Sequence, residues 1–404
     1  MEKTHPPADW SFYHKHGLAP LINVSGTMTS LGASIAAPGV ADAMAEYLQH
    51  FIDMHELQAR ASTAIAGLTG AEAGFVTASS SAGITLAVAA AITGLDAARA
   101  SRLPGDPGER NQVVIQAGHL CNYGAPVAQA IALAGAQVVP VGSATHVLDH
   151  ELKAALCDCT AAAVFVVSHH AVDYLQMPLE HWVALCHARN VPVIVDAASE
   201  YDLTGFLAQG ADIAIYSGHK FLGGPTAGLV AGNSDLIRAA YLQNIGIGRG
   251  MKVGKESIAG AIAALEAWKT RDHAAIRKSE RAALALWREA AGGFEGVTTT
   301  IAPDPTGNPL DRLKIRLDPA RAGASAAGLA MELAAREPKI ITRDDQAGLG
   351  YIQLDPCNLA PGHAPIVAAR LSQALGKARD SGLASPDPNE LRNVGVTGYL
   401  NWPG

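Results

Sequence analysis

Two residues of this chain have the type, spacing and setting for chemistry at a carbonyl. Lys220 lies in ADIAIYSGHKFLGGPTAGLVA (211–231), where an apolar strand runs into Ser-x-His-Lys, then Gly-Gly-Pro, then a second apolar strand. A lysine at the lip of a buried strand pair is partly desolvated, which lowers its proton affinity and prepares a neutral amine for attack. Upstream, VPVIVDAASE (191–200) reads as a buried parallel strand with Asp196 at its C-terminal edge. Open α/β sheets bind their ligands at that edge.

The pair suits pyridoxal phosphate. Lys220 would hold the cofactor as a Schiff base, and Asp196 would keep its pyridinium nitrogen protonated, so that the ring accepts the electrons of a substrate carbanion. Read singly, Asp196 is a helix cap and Lys220 a solvated loop lysine; as successive strand ends before a Gly-rich return strand they favour the cofactor. A third element, LTGAEAGFVTASSSAGITLAVAAAI (68–92), opens an apolar helix with Ser79, Ser80 and Ser81. Free N–H groups and hydroxyls at a helix N-terminus bind phosphate, although serines there also cap ordinary core helices. Ser217 and His219, which flank the lysine, are assigned to the same phosphate.

The elements that must position these residues are legible as alternation. From 71 to about 245, the apolar runs AGFVT, VVIQ, QVVPV, AAVFVVS, VPVIVD, ADIAIYS and GLVAG are separated by helical patterns. This predicts an α/β fold with a mainly parallel seven-stranded sheet and helices on both faces. The last strand follows its predecessor too closely for a crossover and is expected to be antiparallel. The expected organisation is an N-terminal arm over 1–36, a large cofactor domain over 37–255, a connecting helix over 256–290 and a small α+β domain over 291–404.

Composition narrows the function classes. The 404 residues are 49% hydrophobic and 17% charged, with 41 glycines, which describes an Ala/Gly-rich globular enzyme. Thirty basic against 37 acidic residues give −7, no footprint for nucleic acid or an anionic membrane. The N-terminus has no apolar signal core and no stretch is long enough to span a bilayer, so a soluble cytoplasmic protein is expected. Five cysteines argue against a disulfide framework. Cys157-x-Cys159 lacks zinc-site spacing, reads as structural, and no metal is expected.

The chain resembles the fold-type I pyridoxal phosphate enzymes, in the group that contains bacterial selenocysteine synthase and D-glucosaminate-6-phosphate ammonia lyase. The resemblance rests on NVSGTMTSLG, HELQ, VIVDAASE, SGHKFLGGPTAG, GIGRGMKVGKE and EPKIITR, in that order, and is closer to the ammonia lyase. It implies that His119 stacks on the cofactor ring and that His169 or His170 lies on the ring-oxygen side. Ser199, in VIVDAASE, joins the cofactor contacts. Arg249, Lys252 and Lys255 of the basic loop would anchor a substrate anion or the phosphate of a neighbouring subunit's cofactor, against the alternative of a solvated turn. Arg343 would clamp the substrate α-carboxylate, or form a structural ion pair with the aspartates that follow it; Thr27 is a further substrate contact.

The expected activity is β-elimination from a small β-hydroxy amino acid or amino sugar acid, with Lys220 as Schiff base and general base, giving a 2-oxo acid and ammonia. Racemase or aldolase chemistry shares the first steps, as does transamination. A tRNA-acting selenium transferase is the reading from another class, opposed by the acidic balance. A homodimer or higher homo-oligomer is expected from the fold.

Overall fold

Apolar runs between glycine-rich turns build twelve strands in the computed structural model, which describes residues 8–172 and 174–402. They are β1 (Leu21–Val24), β2 (Ala73–Thr77), β3 (Gln112–Gln116), β4 (Gln137–Val141), β5 (Thr160–Val166), β6 (Val193–Asp196), β7 (Ile213–Ser217), β8 (Gly228–Gly232), β9 (Val297–Pro303), β10 (Asp311–Leu317), β11 (Lys339–Thr342) and β12 (Tyr351–Leu354). The chain divides into two compact units. One is Ile35–Arg271; the other joins the described residues up to Ser34 to those from Asp272 onward.

The larger unit holds one seven-stranded sheet in the order β2-β8-β7-β6-β5-β3-β4. Its five central and edge strands β4, β3, β5, β6 and β7 run parallel, while β8 is antiparallel to both β7 and β2. Strands β6, β7 and β8 are buried along their whole length, as expected of a sheet covered on both faces. Helix Ser80–Thr93 is apolar nearly all round and correspondingly buried. It lies close against the sheet: a Cβ at Gly83 would stand 3.0 Å from Ile215 Cγ2 and 3.1 Å from Val230 Cγ2.

The smaller unit packs an antiparallel sheet, β12-β10-β9, and a separate parallel pair, β1 with β11, against helices that include His273–Ala291 and His363–Ser381. Ile22, Trp287, Leu313, Ile315 and Leu371 are fully enclosed in its core. The register Leu21↔Lys339 to Val24↔Thr342 makes β1 an integral strand of this unit, where an arm was expected.

The expected connecting helix over 256–290 is two helices, Lys255–Lys269 and His273–Ala291. The break has a local cause. The Asp272 carboxylate accepts from Ala275 N at 2.9 Å and caps the second helix, and the Arg271 guanidinium donates to the carbonyls of Phe221 and Leu222. The first helix falls in the larger unit and the second in the smaller.

Cys157 and Cys159 are bridged. The turn into β5, where Cys157 N donates to Thr160 Oγ1 at 3.0 Å, brings their Cα atoms to 5.2 Å, within bridging reach. The link staples one turn and is no framework; Cys121, Cys186 and Cys357 are free. No helix among the described residues is long and apolar enough to cross a membrane.

Candidate active site

The carboxyl ends of β6 and β7 adjoin in the sheet, so the side chains that follow them converge. Asp196 is the last residue of β6 and is 5% exposed. Its Oδ1 accepts from Ala198 N at 3.2 Å. Burial pushes its carboxyl up, and the nearby Lys220 ammonium opposes that shift. Lys220 lies three residues past β7, with Nζ donating to the Ser199 hydroxyl. Burial pushes its amine down from the ordinary lysine range, against the pull of Asp196 and then Glu200.

The backbone of the turn is tied down. Gly218 N donates to Ala227 O at 2.8 Å, Gly224 N to Gly218 O at 2.7 Å, and Gly223 N to Lys220 O at 3.0 Å. Gly223 has φ +70°, a conformation that glycine adopts without strain.

Ser79 caps helix Ser80–Thr93 from an extended conformation, its hydroxyl accepting from Ala82 N at 3.1 Å. The main chain of β8 passes close to it: a Cβ at Gly228 would sit 2.2 Å from Ser79 O and 2.8 Å from Ser80 N. Ser81 stands beside the Tyr123 phenol, and Tyr123 also feels the Asp196 carboxylate; burial first, then Asp196, push the phenol up to about 12. The helix N-terminus, Tyr123 and Asp196 therefore share one neighbourhood. Ser217 Oγ and His219 Nδ1 are 3.0 Å apart, and burial followed by the Lys220 charge push the imidazole down.

His119 closes the short helical turn after β3 and is 4% exposed. Its Nδ1 accepts from Val166 N at 3.1 Å, and Val166 is the register partner of Asp196. Its ring meets Phe165 edge-on, centroids 4.5 Å apart. Burial pushes the imidazole down to about 4, so the ring is neutral with its proton on Nε2. His169 and His170 follow β5, their ring centroids 3.8 Å apart.

The substrate-side candidates divide. Arg249 and Lys252 are exposed, on and just after the short helix Ile247–Met251. Lys255 is the first residue of helix Lys255–Lys269 and donates to the His50 carbonyl, a contact that holds two chain segments together. Thr27 and Arg343 belong to the smaller unit. Arg343 is 7% exposed, with the Asp345 carboxylate 3.7 Å from its Nε.

The family profile described as SelA, L-seryl-tRNA selenium transferase, matches residues 21–284. The chain belongs to the SelA family. It is 37% identical over 370 residues to the D-glucosaminate-6-phosphate ammonia lyase of Salmonella typhimurium (strain 14028s), covering 92% of this chain and 99% of that one. It is 39% identical over 371 residues to a 5'-C-glycyluridine monooxygenase-decarboxylase of Streptomyces sp, covering 90% and 92%. Among solved structures, that of D-glucosaminate-6-phosphate ammonia-lyase superposes with a TM-score of 0.82 at 36% identity, covering 92% of this chain and all of that one. The fold of this SelA-family chain is the fold-type I architecture, shared with the serine palmitoyltransferase of S. paucimobilis at a TM-score of 0.55 and 14% identity, covering 89% of this chain and 88% of that one.

Three residues of the site lay outside the sequence reading. Glu200 is 7% exposed and close enough to Lys220 to raise its proton affinity; its place four residues after Asp196 in VIVDAASE was the available signal. Tyr123 and Cys121 follow His119, and both feel the Asp196 charge. Nothing in HLCNYG marks them, because their approach to Asp196 depends on the pairing of β3 and β6 with β5.

Proposed function

We propose that this chain is a pyridoxal phosphate-dependent lyase that deaminates a small β-hydroxy amino acid or amino sugar acid by β-elimination, releasing a 2-oxo acid and ammonia. The observation that carries the reading is Lys220, a half-buried amine whose proton affinity burial depresses, which donates to a hydroxyl and lies near two buried carboxylates.

The residues fit the cofactor. A buried carboxylate, Asp196, answers a pyridinium nitrogen, and a capped helix start with three serines answers a phosphate. The close approach of Gly228 to Ser79 leaves that cap no room for a side chain from β8. The Tyr123 hydroxyl, beside Ser81 and close enough to feel Asp196, adds a further polar group to that neighbourhood. Ser79, Ser80, Ser81, Ser217 and His219 would take the phosphate, His119 would cover the ring, and Ser199 and His169 would complete the contacts.

Bound there, pyridoxal phosphate supplies an electron sink for a carbanion at the substrate Cα. Lys220 holds the cofactor at rest and, once released, takes the Cα proton. Ser199 orients its amine. The leaving hydroxyl takes a proton from Lys220 or from His169 or His170 and departs as water. Hydrolysis of the resulting enamine releases ammonia and the 2-oxo acid, so the net change is loss of ammonia and no oxidation. Arg343 would receive the α-carboxylate, with Thr27, Arg249 and Lys252 as further contacts. The working form is a cytoplasmic homodimer or larger homo-oligomer.

The experiment is to mix the cofactor-loaded protein with D- and L-β-hydroxy amino acids and phosphorylated amino sugar acids, following 2-oxo acid, ammonia and dioxygen. Oxo acid and ammonia in equal amounts without dioxygen uptake support the reading. Exchange of the Cα proton without oxo acid redirects it to racemase chemistry, and aldehyde release to an aldolase. The monooxygenase-decarboxylase relative at 39% identity favours one second reading, oxidative decarboxylation, which dioxygen uptake with loss of carbon dioxide would establish. Tight binding of tRNA in a low-salt gel shift would favour a selenium transferase instead.

A further inference from the structure

Arg343 is buried yet little used. Its main chain is engaged: the N–H donates to Gln353 O at 3.0 Å, and its carbonyl accepts from Gln353 N at 2.8 Å. Its guanidinium makes no hydrogen bond among the described residues. The carboxylate within ion-pair range is Asp345, at 3.7 Å and 40% exposed, which is too far for a hydrogen bond.

Two far better buried carboxylates of the same unit are already claimed. Arg312, on β10, donates from Nε to Asp355 Oδ2 at 2.8 Å and pairs through Nη1 with Asp304 Oδ2 at 2.7 Å. These three side chains are 7%, 1% and 4% exposed. Asp355 Oδ1 accepts from Cys357 N at 2.9 Å, and Asp304 Oδ1 accepts from the Thr306 hydroxyl at 2.7 Å. Asp355 and Arg343 face the same stretch of main chain: a Cβ at Gly26 would stand 3.0 Å from Asp355 Oδ2 and 3.7 Å from Arg343 Nη1.

A buried carboxylate stripped of its partner is costly and takes the next available cation. For Asp355 that cation is Arg343. We propose that Arg312 is a positioning residue for recognition of the substrate carboxylate: by neutralising Asp304 and Asp355 it keeps the Arg343 guanidinium unclaimed for an incoming carboxylate. The proposal rests on the reading that Arg343 receives that group. Lysine at 312 would keep the charge but lose the fork that bridges both aspartates.

The test titrates the visible absorption of the cofactor-loaded protein with D-serine, L-serine and ethanolamine, the last lacking a carboxylate. In Arg312→Lys, the apparent Kd for the serine that binds rises about tenfold, the loss expected for one charge-assisted hydrogen bond, while that for ethanolamine is unchanged. Arg343→Lys does the same, and the double variant is no worse than Arg343→Lys alone. Asp304→Asn, which leaves Arg312 paired with Asp355, keeps the Kd values for serine and ethanolamine at the parental level. A general disturbance of the fold would weaken ethanolamine equally and would overturn the proposal, as would losses at 312 and 343 that multiply. If Arg343→Lys leaves serine binding intact, the assignment of Arg343 itself is wrong.

Discussion

Lys220 Nζ donates to the hydroxyl of Ser199, three residues beyond Asp196 on the same turn. The lysine is thus held by a neutral acceptor while two carboxylates, Asp196 and Glu200, act on it from nearby. A neutral acceptor fixes the direction of the amine without fixing its proton. Lys220→Ala is expected to abolish covalent retention of the cofactor, read as loss of the borohydride-fixed adduct on the 220 peptide by mass spectrometry. Turnover should fall about a thousandfold or more. Ser199→Ala should keep the adduct and lose about tenfold in kcat, the scale of one hydrogen bond that orients a reacting group.

Gly228 is the point where β8 and the start of helix Ser80–Thr93 come closest. The atom a Cβ would strike, Ser79 O at 2.2 Å, is main chain on a cap and has nowhere to move. Gly228→Ala should therefore displace the Ser79–Ser81 turn, destabilising the protein by about 1–3 kcal/mol. Its affinity for pyridoxal phosphate, measured by equilibrium dialysis, should fall further than its stability does. An alanine variant with parental cofactor affinity would remove the phosphate role assigned to this turn.

The sheet was legible because its strands are buried on both faces and so read as uninterrupted apolar runs between turns; Asp196 and Lys220 stand out as charges set directly behind such runs. The antiparallel β8 was legible from the shortness of its connection. What the sequence could not reveal depends on contacts between distant segments. The pairing of β1 with β11 joins residues that no local pattern relates. The same is true of the Asp304–Arg312–Asp355 cluster, whose members come from the residue after β9, the start of β10 and the residue after β12. Glu200 was visible as a residue, but its burial follows from the turn that returns Glu200 N to Ala197 O at 3.1 Å.

Glu280, on helix His273–Ala291, accepts from Arg277 Nη2 at 2.7 Å, and its side chain is 8% exposed. Burial pushes its carboxyl up from 4.5 to about 7, with Arg277 pulling the other way. The folded pKa lies above the unfolded one, so its contribution to stability is whole below pH 4.5 and is lost as pH rises through 7. Glu280→Gln, which keeps an acceptor for Arg277, should leave stability unchanged near pH 4.5. Above pH 7 it should gain up to roughly 3 kcal/mol over the parent. Denaturant midpoints at the two pH values would show this; equal gains at both would mean that titration of Glu280 is not the cause.

His119 titrates in the opposite sense. Its Nδ1 is committed to Val166 N, and burial pushes the imidazole from 6.5 down to about 4. An imidazole buried in neutral form contributes stability that is whole above its unfolded pKa and is lost as pH falls from 6.5 through 4. The full loss is roughly 3 kcal/mol, because the unfolded chain binds a proton there that the folded chain refuses. The window overlaps that of Glu280, so between about pH 4.5 and 6.5 the two contributions offset each other in the parent, and each single variant exposes the slope of the other. His119→Gln retains an acceptor for Val166 N and does not titrate. It should be less stable than the parent at pH 8, through lost packing against Phe165, and should close most of that gap by pH 4. A gap that stays constant across the range would mean that the imidazole is protonated in the folded protein, which the donated Val166 hydrogen bond does not permit.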